Sequence, residues 1–95
     1  MSDPTLLVLA SLAEGDKHGY AMMEDIQHFA GVRLGPGTLY GAITRLEEKG
    51  WIRPVPSEER RQPYAITAAG RKYLEDQVSA LEAIVRTAHR RLKHA

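Results

Sequence analysis

The segment from Gly35 to Ile52 constrains the fold more than any other part of the chain. Pro36 suits the first position of a helix, because its ring fixes φ and a backbone N–H would have no helical partner there. A stripe of apolar residues with helical spacing follows, formed by Leu39, Ile43 and Leu46. Gly50 ends the pattern, and an extended run begins after it. The segment therefore predicts a short amphipathic helix followed by a strand.

The opposite face of this predicted helix carries small, hydroxyl-bearing and cationic side chains, namely Thr38, Tyr40, Gly41, Thr44 and Arg45. A helix with such a face fits a DNA major groove, so this is a candidate recognition helix. The free N–H groups of the first turn favour a phosphate near Thr38 and Tyr40. Thr44 is placed to reach a base edge or a phosphate, and Arg45 to pair with guanine or a phosphate.

Two of these residues have alternative interpretations. The alternative role for Tyr40 is that of a partly buried packing residue. Arg45 can form an exposed salt bridge with Glu47 or Glu48 instead of contacting DNA. Because both glutamates would repel phosphates, we expect the contacting surface to end near Arg45.

Two helices are predicted before this one. Asp3 and Pro4 start the first, which is apolar on nearly every face up to Ala13 and therefore needs covering on both sides. In so small a domain that pattern suggests a second protomer. Asp16 is expected to cap the second helix, which runs to Phe29 with an inner face of Met22, Met23, Ile26 and Phe29. Only a short turn then precedes Pro36, so the second and third helices form a predicted helix-turn-helix.

After Gly50 the apolar period changes from 3.6 to 2, which predicts strands at residues 51–55 and 63–67 around a polar loop. Three helices followed by a hairpin is the order of a winged helix. Arg60 and Arg61 at the wing tip suit contact with the DNA backbone or minor groove, although Glu58 and Glu59 equally allow a solvated loop of balanced charge.

The start of the second helix offers two more candidate phosphate contacts, Lys17 and Tyr20, beside His18. Tyr20 serves equally well as a core residue. His18 is more often a local hydrogen-bonding residue than a ligand.

Thr67 caps a long final helix with a heptad seam of apolar residues, Leu74, Val78, Leu81, Val85, Ala88 and Leu92. The winged domain is expected to be complete before this helix begins, so the seam is predicted to pack against another chain. The predicted architecture is mainly α with a small β-hairpin. Residues 1–67 form a winged helix-turn-helix DNA-binding domain, and residues 68–95 form a dimerisation helix.

Composition excludes several classes of function. The net charge is +1, yet residues 1–35 carry five acidic and two basic side chains, whereas the remainder carries seven acidic and eleven basic ones. The basic part coincides with the candidate helix and wing, which favours a polyanionic partner. With no cysteine and scattered histidines, no metal site, cofactor or catalytic arrangement is expected. The longest apolar run, 6–13, is too short to anchor the chain in a membrane.

With these elements in order, the chain resembles the PadR-like transcriptional regulators. The resemblance covers nearly the whole chain and is carried by residues 6–9, His18-Gly19-Tyr20, residues 36–40, residues 45–50, and residues 64–71. It implies a homodimeric winged-helix repressor of the short-tailed subgroup, with one C-terminal dimerisation helix.

The leading hypothesis is therefore a cytoplasmic homodimer that binds double-stranded DNA at a pseudo-palindromic operator. Some relatives bind flat aromatic molecules between their subunits, so a small-molecule effector stays open, although Tyr73 is the one aromatic residue of the last helix. The alternative is a winged helix that serves as a protein-interaction module.

Overall fold

A computed structural model describes residues 3–94. Met1 and Ser2, at the start of the predicted DNA-binding domain, lie outside the described residues, as does Ala95 at the end of the predicted dimerisation helix. The described chain is mainly helical, with one small antiparallel sheet, as predicted. Its elements are α1 (Pro4–Leu12), β1 (Lys17–His18), α2 (Gly19–Ala30), α3 (Pro36–Glu48), β2 (Ile52–Pro54), β3 (Pro63–Ile66) and α4 (Ala68–Lys93).

Helix α1 lies at the centre of the molecule. The Asp3 carboxylate accepts hydrogen bonds from the Thr5 N–H at 2.9 Å and the Thr5 hydroxyl at 2.7 Å, which caps the helix as predicted. The helix packs against α2, α3, α4 and β3 and buries Leu7, Val8, Leu9 and Leu12. These elements of the same chain cover it, so the expectation that a second protomer is needed for this purpose is wrong.

Helix α2 begins at Gly19, later than predicted from Asp16. Lys17 and His18 form a short strand instead, and the His18 imidazole caps the helix by accepting the Ala21 N–H at 3.2 Å. Met22 and Ile26 are fully buried, but Phe29 is half exposed and does not join the predicted inner face. Gly31 ends the helix in the left-handed conformation, with φ of 67°.

The sheet has the strand order β1-β3-β2, with both pairings antiparallel. The two predicted hairpin strands are confirmed in shorter form, and each proline lies at a strand end, where a missing N–H does least harm. The third strand, β1, pairs Lys17 with Tyr64 and was absent from the sequence prediction. It ties the start of α2 to the base of the wing.

Helix α4 starts at the predicted cap, because the Thr67 hydroxyl accepts the Gly70 N–H at 3.0 Å and donates to the Gly50 carbonyl at 2.7 Å. Its first turns pack on the core, where Tyr73 stacks on Trp51 with ring centroids 3.8 Å apart. Leu74 also packs against the core. The first turns of α4 therefore pack against the core of the predicted winged domain, and the division of the chain at Thr67 stays a prediction.

Candidate nucleic-acid interface

Helix α3 has the two faces that its sequence predicts. Its apolar face is fully buried and consists of Leu39, Ala42, Ile43 and Leu46. All four candidate contact residues of the other face are exposed, namely Thr38, Tyr40, Thr44 and Arg45. Gly35 provides no side-chain cap, and Pro36 occupies the first turn, so the N-terminal N–H groups of α3 keep their capacity to donate.

Tyr40 both packs and remains exposed. Its ring lies over Gly19, where a β-carbon would be 2.8 Å from the tyrosine Cζ, so the lack of a side chain at position 19 lets the two helices meet closely. About half of the Tyr40 surface still faces solvent. The packing interpretation and the contact interpretation of this residue are therefore compatible.

Tyr64 of β3 lies near Glu47 and Tyr40 of α3. Burial raises the pKa of its hydroxyl, and the nearby Glu47 carboxylate and Tyr40 raise it further. The edge of α3 that faces the sheet therefore gains no negative charge from this tyrosine at neutral pH.

Arg45 is the one cationic side chain of α3. Within residues 3–94 it forms no ion pair, so the predicted alternative of a salt bridge with Glu47 or Glu48 is not present. Thr44, one turn from Tyr40, donates its hydroxyl to the Tyr40 carbonyl at 2.9 Å and keeps its oxygen lone pairs for a partner. The surface thus presents one cationic group among neutral hydrogen-bonding groups.

The wing is a loop closed at its base. Gln62 donates its amide to the carbonyls of Val55 and Pro63, both at 2.8 Å, and the Val55 N–H donates to the Pro63 carbonyl at 3.0 Å. At the tip, Arg60 and Arg61 are exposed, and neither is ion-paired with Glu58 or Glu59 among the described residues. The Arg61 guanidinium carbon lies 5.0 Å from the centroid of the Tyr20 ring.

Lys17 lies apart from this surface. Its ammonium group contacts the Glu14 carboxylate at 3.0 Å and the Asp25 carboxylate at 3.9 Å, and it donates to the Ser11 carbonyl. Only 15% of its side chain is exposed. This geometry speaks against Lys17 as a phosphate contact, because its donors already have oxygen partners within the chain.

The structure brings the start of α2, the first turns of α3 and the wing together around one cleft, lined by His18, Gly19, Tyr20, Tyr40, Arg60, Arg61 and Gln62. The sequence prediction placed four of these residues in a DNA contact surface but assigned no part to Gly19 or Gln62. The sequence contains a signal for the role of Gly19, since a glycine at a helix start often permits a neighbouring element to approach closely. The sequence contains no such signal for Gln62, because the carbonyl groups to which it donates are brought close only by the geometry of the hairpin.

Two other features are absent from the described part of the chain, a metal-ligand cluster and a membrane-spanning helix. Between residues 3 and 94, no three histidine, aspartate or glutamate side chains gather as metal ligands would. No helix in that range combines the length and the apolar character needed to cross a bilayer.

A helix-turn-helix followed by a β-hairpin defines the class of winged-helix proteins. Residues 8–76 match the family described as the Transcriptional regulator PadR-like family. This chain belongs to that family, whose members are transcriptional regulators and not enzymes.

Individual relatives agree with this assignment. The chain is 33% identical over 84 residues to the transcriptional regulator Rv3488 of Mycobacterium tuberculosis, covering 85% of this chain and 78% of that protein. It is 45% identical over 80 residues to an uncharacterized 37.1 kDa protein in a transposon of Streptomyces fradiae, covering 84% of this chain. The chain spans only 23% of that larger protein's length.

A crystal structure of a PadR family transcription regulator from Clostridium difficile superposes with a TM-score of 0.84 at 26% identity. The superposition covers 94% of this chain and 97% of the other. The winged-helix fold and the long C-terminal helix are thereby confirmed.

Proposed function

We propose that this protein is a homodimeric, DNA-binding transcriptional repressor that reads a pseudo-palindromic operator. The observation that carries the proposal is the exposed face of α3, where Thr38, Tyr40, Thr44 and Arg45 stand opposite a completely buried apolar face. Such a helix enters a major groove with its first turns, and Arg45 is suited to pair with guanine or a phosphate.

The wing supports a second set of contacts. Arg60 and Arg61 extend the cationic surface beyond α3, and no acidic residue lines the cleft between them and α2. Arginine side chains of this kind position a protein on the phosphate backbone without reading sequence. We assign base reading to α3 and backbone contact to Arg60 and Arg61 of the wing.

The second copy is expected to pack against α4. Past the core contacts of Leu74, the seam residues are exposed, among them Val78, Leu81, Val85, Ala88 and Leu92. Ile84, which was outside the predicted seam, is 64% exposed and lies one turn from both Leu81 and Ala88, so it widens the same apolar face. A large apolar face of this kind on a single chain favours burial against a partner.

Two copies joined through α4 present two α3 helices to DNA. Half-sites one helical turn apart, at about 34 Å, would match that arrangement. We place the protein in the cytoplasm, where it would meet DNA. Release by a small-molecule effector remains a prediction of the family resemblance.

Fluorescence anisotropy with DNA selected from a genomic library tests the DNA-reading role. Arg45→Ala and Tyr40→Ala are each expected to weaken binding by about 1–3 kcal/mol, because each removes a direct contact while the buried face of α3 is kept. Lys72→Ala is the matched control: it also removes one cation, but from an exposed pair with Asp76 on α4. Affinity should fall steeply with salt if phosphates dominate.

Unchanged affinity in both α3 variants would contradict the contact assignment. The alternative, a protein-interaction module, predicts no binding of random duplex DNA even at low salt. Binding of random DNA at low salt, with tighter binding of selected sequences at higher salt, would favour the regulator.

A further inference from the structure

The tip of the wing is held by an aromatic ring and not by its acidic neighbours. Arg61 follows Glu58 and Glu59 closely in sequence, yet its guanidinium lies over Tyr20, 5.0 Å from the ring centroid. Among residues 3–94 no carboxylate pairs with it. Half of the Tyr20 surface is exposed, so the ring is not committed to the core.

This contact joins two elements that are otherwise far apart in the chain. The wing loop is fixed at its base by Gln62. At its tip, the one side-chain hydrogen bond found among residues 3–94 is local, from the Glu59 N–H to the Ser57 hydroxyl. The start of α2 is rigid, because His18 caps it and Tyr40 packs over Gly19. The ring therefore offers the tip of the loop a fixed surface.

Stacking on a ring leaves a guanidinium able to bind an anion. When the flat face of a guanidinium lies on a ring, its five N–H donors still point outward along the edge of the group. Arg61 can therefore contact a phosphate while it stays on Tyr20. The surrounding cleft contains donors and cations but no carboxylate, so nothing in it competes for these N–H groups.

We propose that Tyr20 is a positioning residue for DNA binding: its ring orders Arg61 and the wing tip against α2 before DNA arrives. The tyrosine then acts through Arg61, and its own hydroxyl is not needed. This inference rests on the proposed DNA-binding function.

The first arm of the test examines the free protein by NMR. A cation above an aromatic ring experiences its ring current, so the side-chain protons of Arg61 should be shifted upfield. The shift should persist in Tyr20→Phe and vanish in Tyr20→Leu, with the fold unchanged. The absence of any shift in the wild type would overturn the proposal without reference to DNA.

The second arm is a double-mutant cycle on DNA affinity at fixed salt. Tyr20→Leu should weaken binding about two- to five-fold, the range expected of an exposed cation–π pair, whereas Tyr20→Phe should bind as the wild type does. In an Arg61→Ala background, Tyr20→Leu should have no further effect. In an Arg60→Ala background, the matched control, it should retain its full effect.

Each other outcome counts against the inference. Equal losses in Tyr20→Phe and Tyr20→Leu would show that the hydroxyl contacts DNA itself. Additive losses for Tyr20→Leu and Arg61→Ala would show that the two residues act independently. A wild-type protein that shows the ring-current shift but binds no DNA would instead contradict the proposed function, and with it the role assigned to Tyr20.

Discussion

Helix α1 and the outer part of α4 are both rich in apolar residues, yet the structure treats them in opposite ways. α1 has no polar face, and its residues Leu7, Val8, Leu9 and Leu12 are buried by other elements of the same chain. The part of α4 beyond Leu74 has one apolar face on an otherwise polar helix, and that face is exposed. A helix that is apolar on every face, such as α1, is thus typical of the centre of a chain's own core. A narrow apolar seam on a projecting helix, such as α4, is instead typical of a surface that a partner covers.

The contrast follows from geometry. A helix surrounded by its own chain needs apolar side chains in every direction, because neighbours approach from every direction. α4 runs for 26 residues, about 39 Å at the rise of an α-helix, while the molecule is only 26 Å and 20 Å across its shorter axes. Its outer turns therefore extend beyond the core that would otherwise cover them.

The largest expected effect separates these two regions with one chemical change. Leu9→Ala should lower the free energy of unfolding by about 2–5 kcal/mol, because it leaves a cavity at a fully buried position. Leu81→Ala makes the same change at a residue that is 46% exposed in the single chain.

Denaturant unfolding at several protein concentrations checks this pair. The loss in Leu9→Ala should be present at every concentration. The loss in Leu81→Ala should depend on concentration, since it acts through association of two chains. A cost for Leu81→Ala as large as that for Leu9→Ala, and independent of concentration, would remove the distinction between the regions.

A smaller expected loss of stability locates the boundary between the core and the exposed part of α4. Gly70→Ala should destabilise the fold by about 1–3 kcal/mol, because a β-carbon there would overlap the Trp51 carbonyl, against which α4 packs. Gly37→Ala is the matched control, as it lies in α3 with open space around it and should gain from better helix propensity. Thermal unfolding of both variants gives the comparison. If Gly70→Ala were as stable as Gly37→Ala, the start of α4 would not belong to the core.

The smallest effect is confined to the core and appears at high pH. The folded state raises the pKa of Tyr64 above its ordinary value of 10.0, mainly through burial. The unfolded chain therefore loses this proton first, and stability from this group falls as pH rises above about 10. Tyr64→Phe removes that dependence.

The measurement is the difference in unfolding free energy between the wild type and Tyr64→Phe across pH. This difference should be constant below pH 10 and should not vary with protein concentration. Above pH 10 the wild type should lose stability relative to Tyr64→Phe. A difference that stays constant through the alkaline range would contradict the assigned burial of this hydroxyl.

Local signals in the sequence were sufficient for α3 and for the start of α4, although they placed the start of α2 too early. Pro36 and the spacing of Leu39, Ile43 and Leu46 predicted α3, and Thr67 predicted the start of α4, because capping and apolar periodicity depend on neighbours a few residues away. Four candidate residues of α3 were accordingly placed on its exposed face, although their contact with DNA stays a prediction.

Features that depend on distant partners could not be predicted in this way. Strand β1 exists because Lys17 pairs with Tyr64, and two residues carry no periodicity of their own. The ion pair between Lys17 and Asp25 depends on how α2 packs on α1, where the Ser11 hydroxyl donates to the same carboxylate. The contact between Arg61 and Tyr20 likewise needs the folded wing.

The central claim is that the exposed seam of α4 joins two copies of this chain, and sedimentation equilibrium tests it most directly. The wild type should have twice the mass of one chain, and Leu81→Asp should have the mass of one chain, because a carboxylate would be buried in the apolar seam. Ala83→Asp, on the opposite face of α4, is the matched control and should remain a dimer. A wild type with the mass of a single chain, or a Leu81→Asp variant with unaltered dimer mass, would contradict the claim.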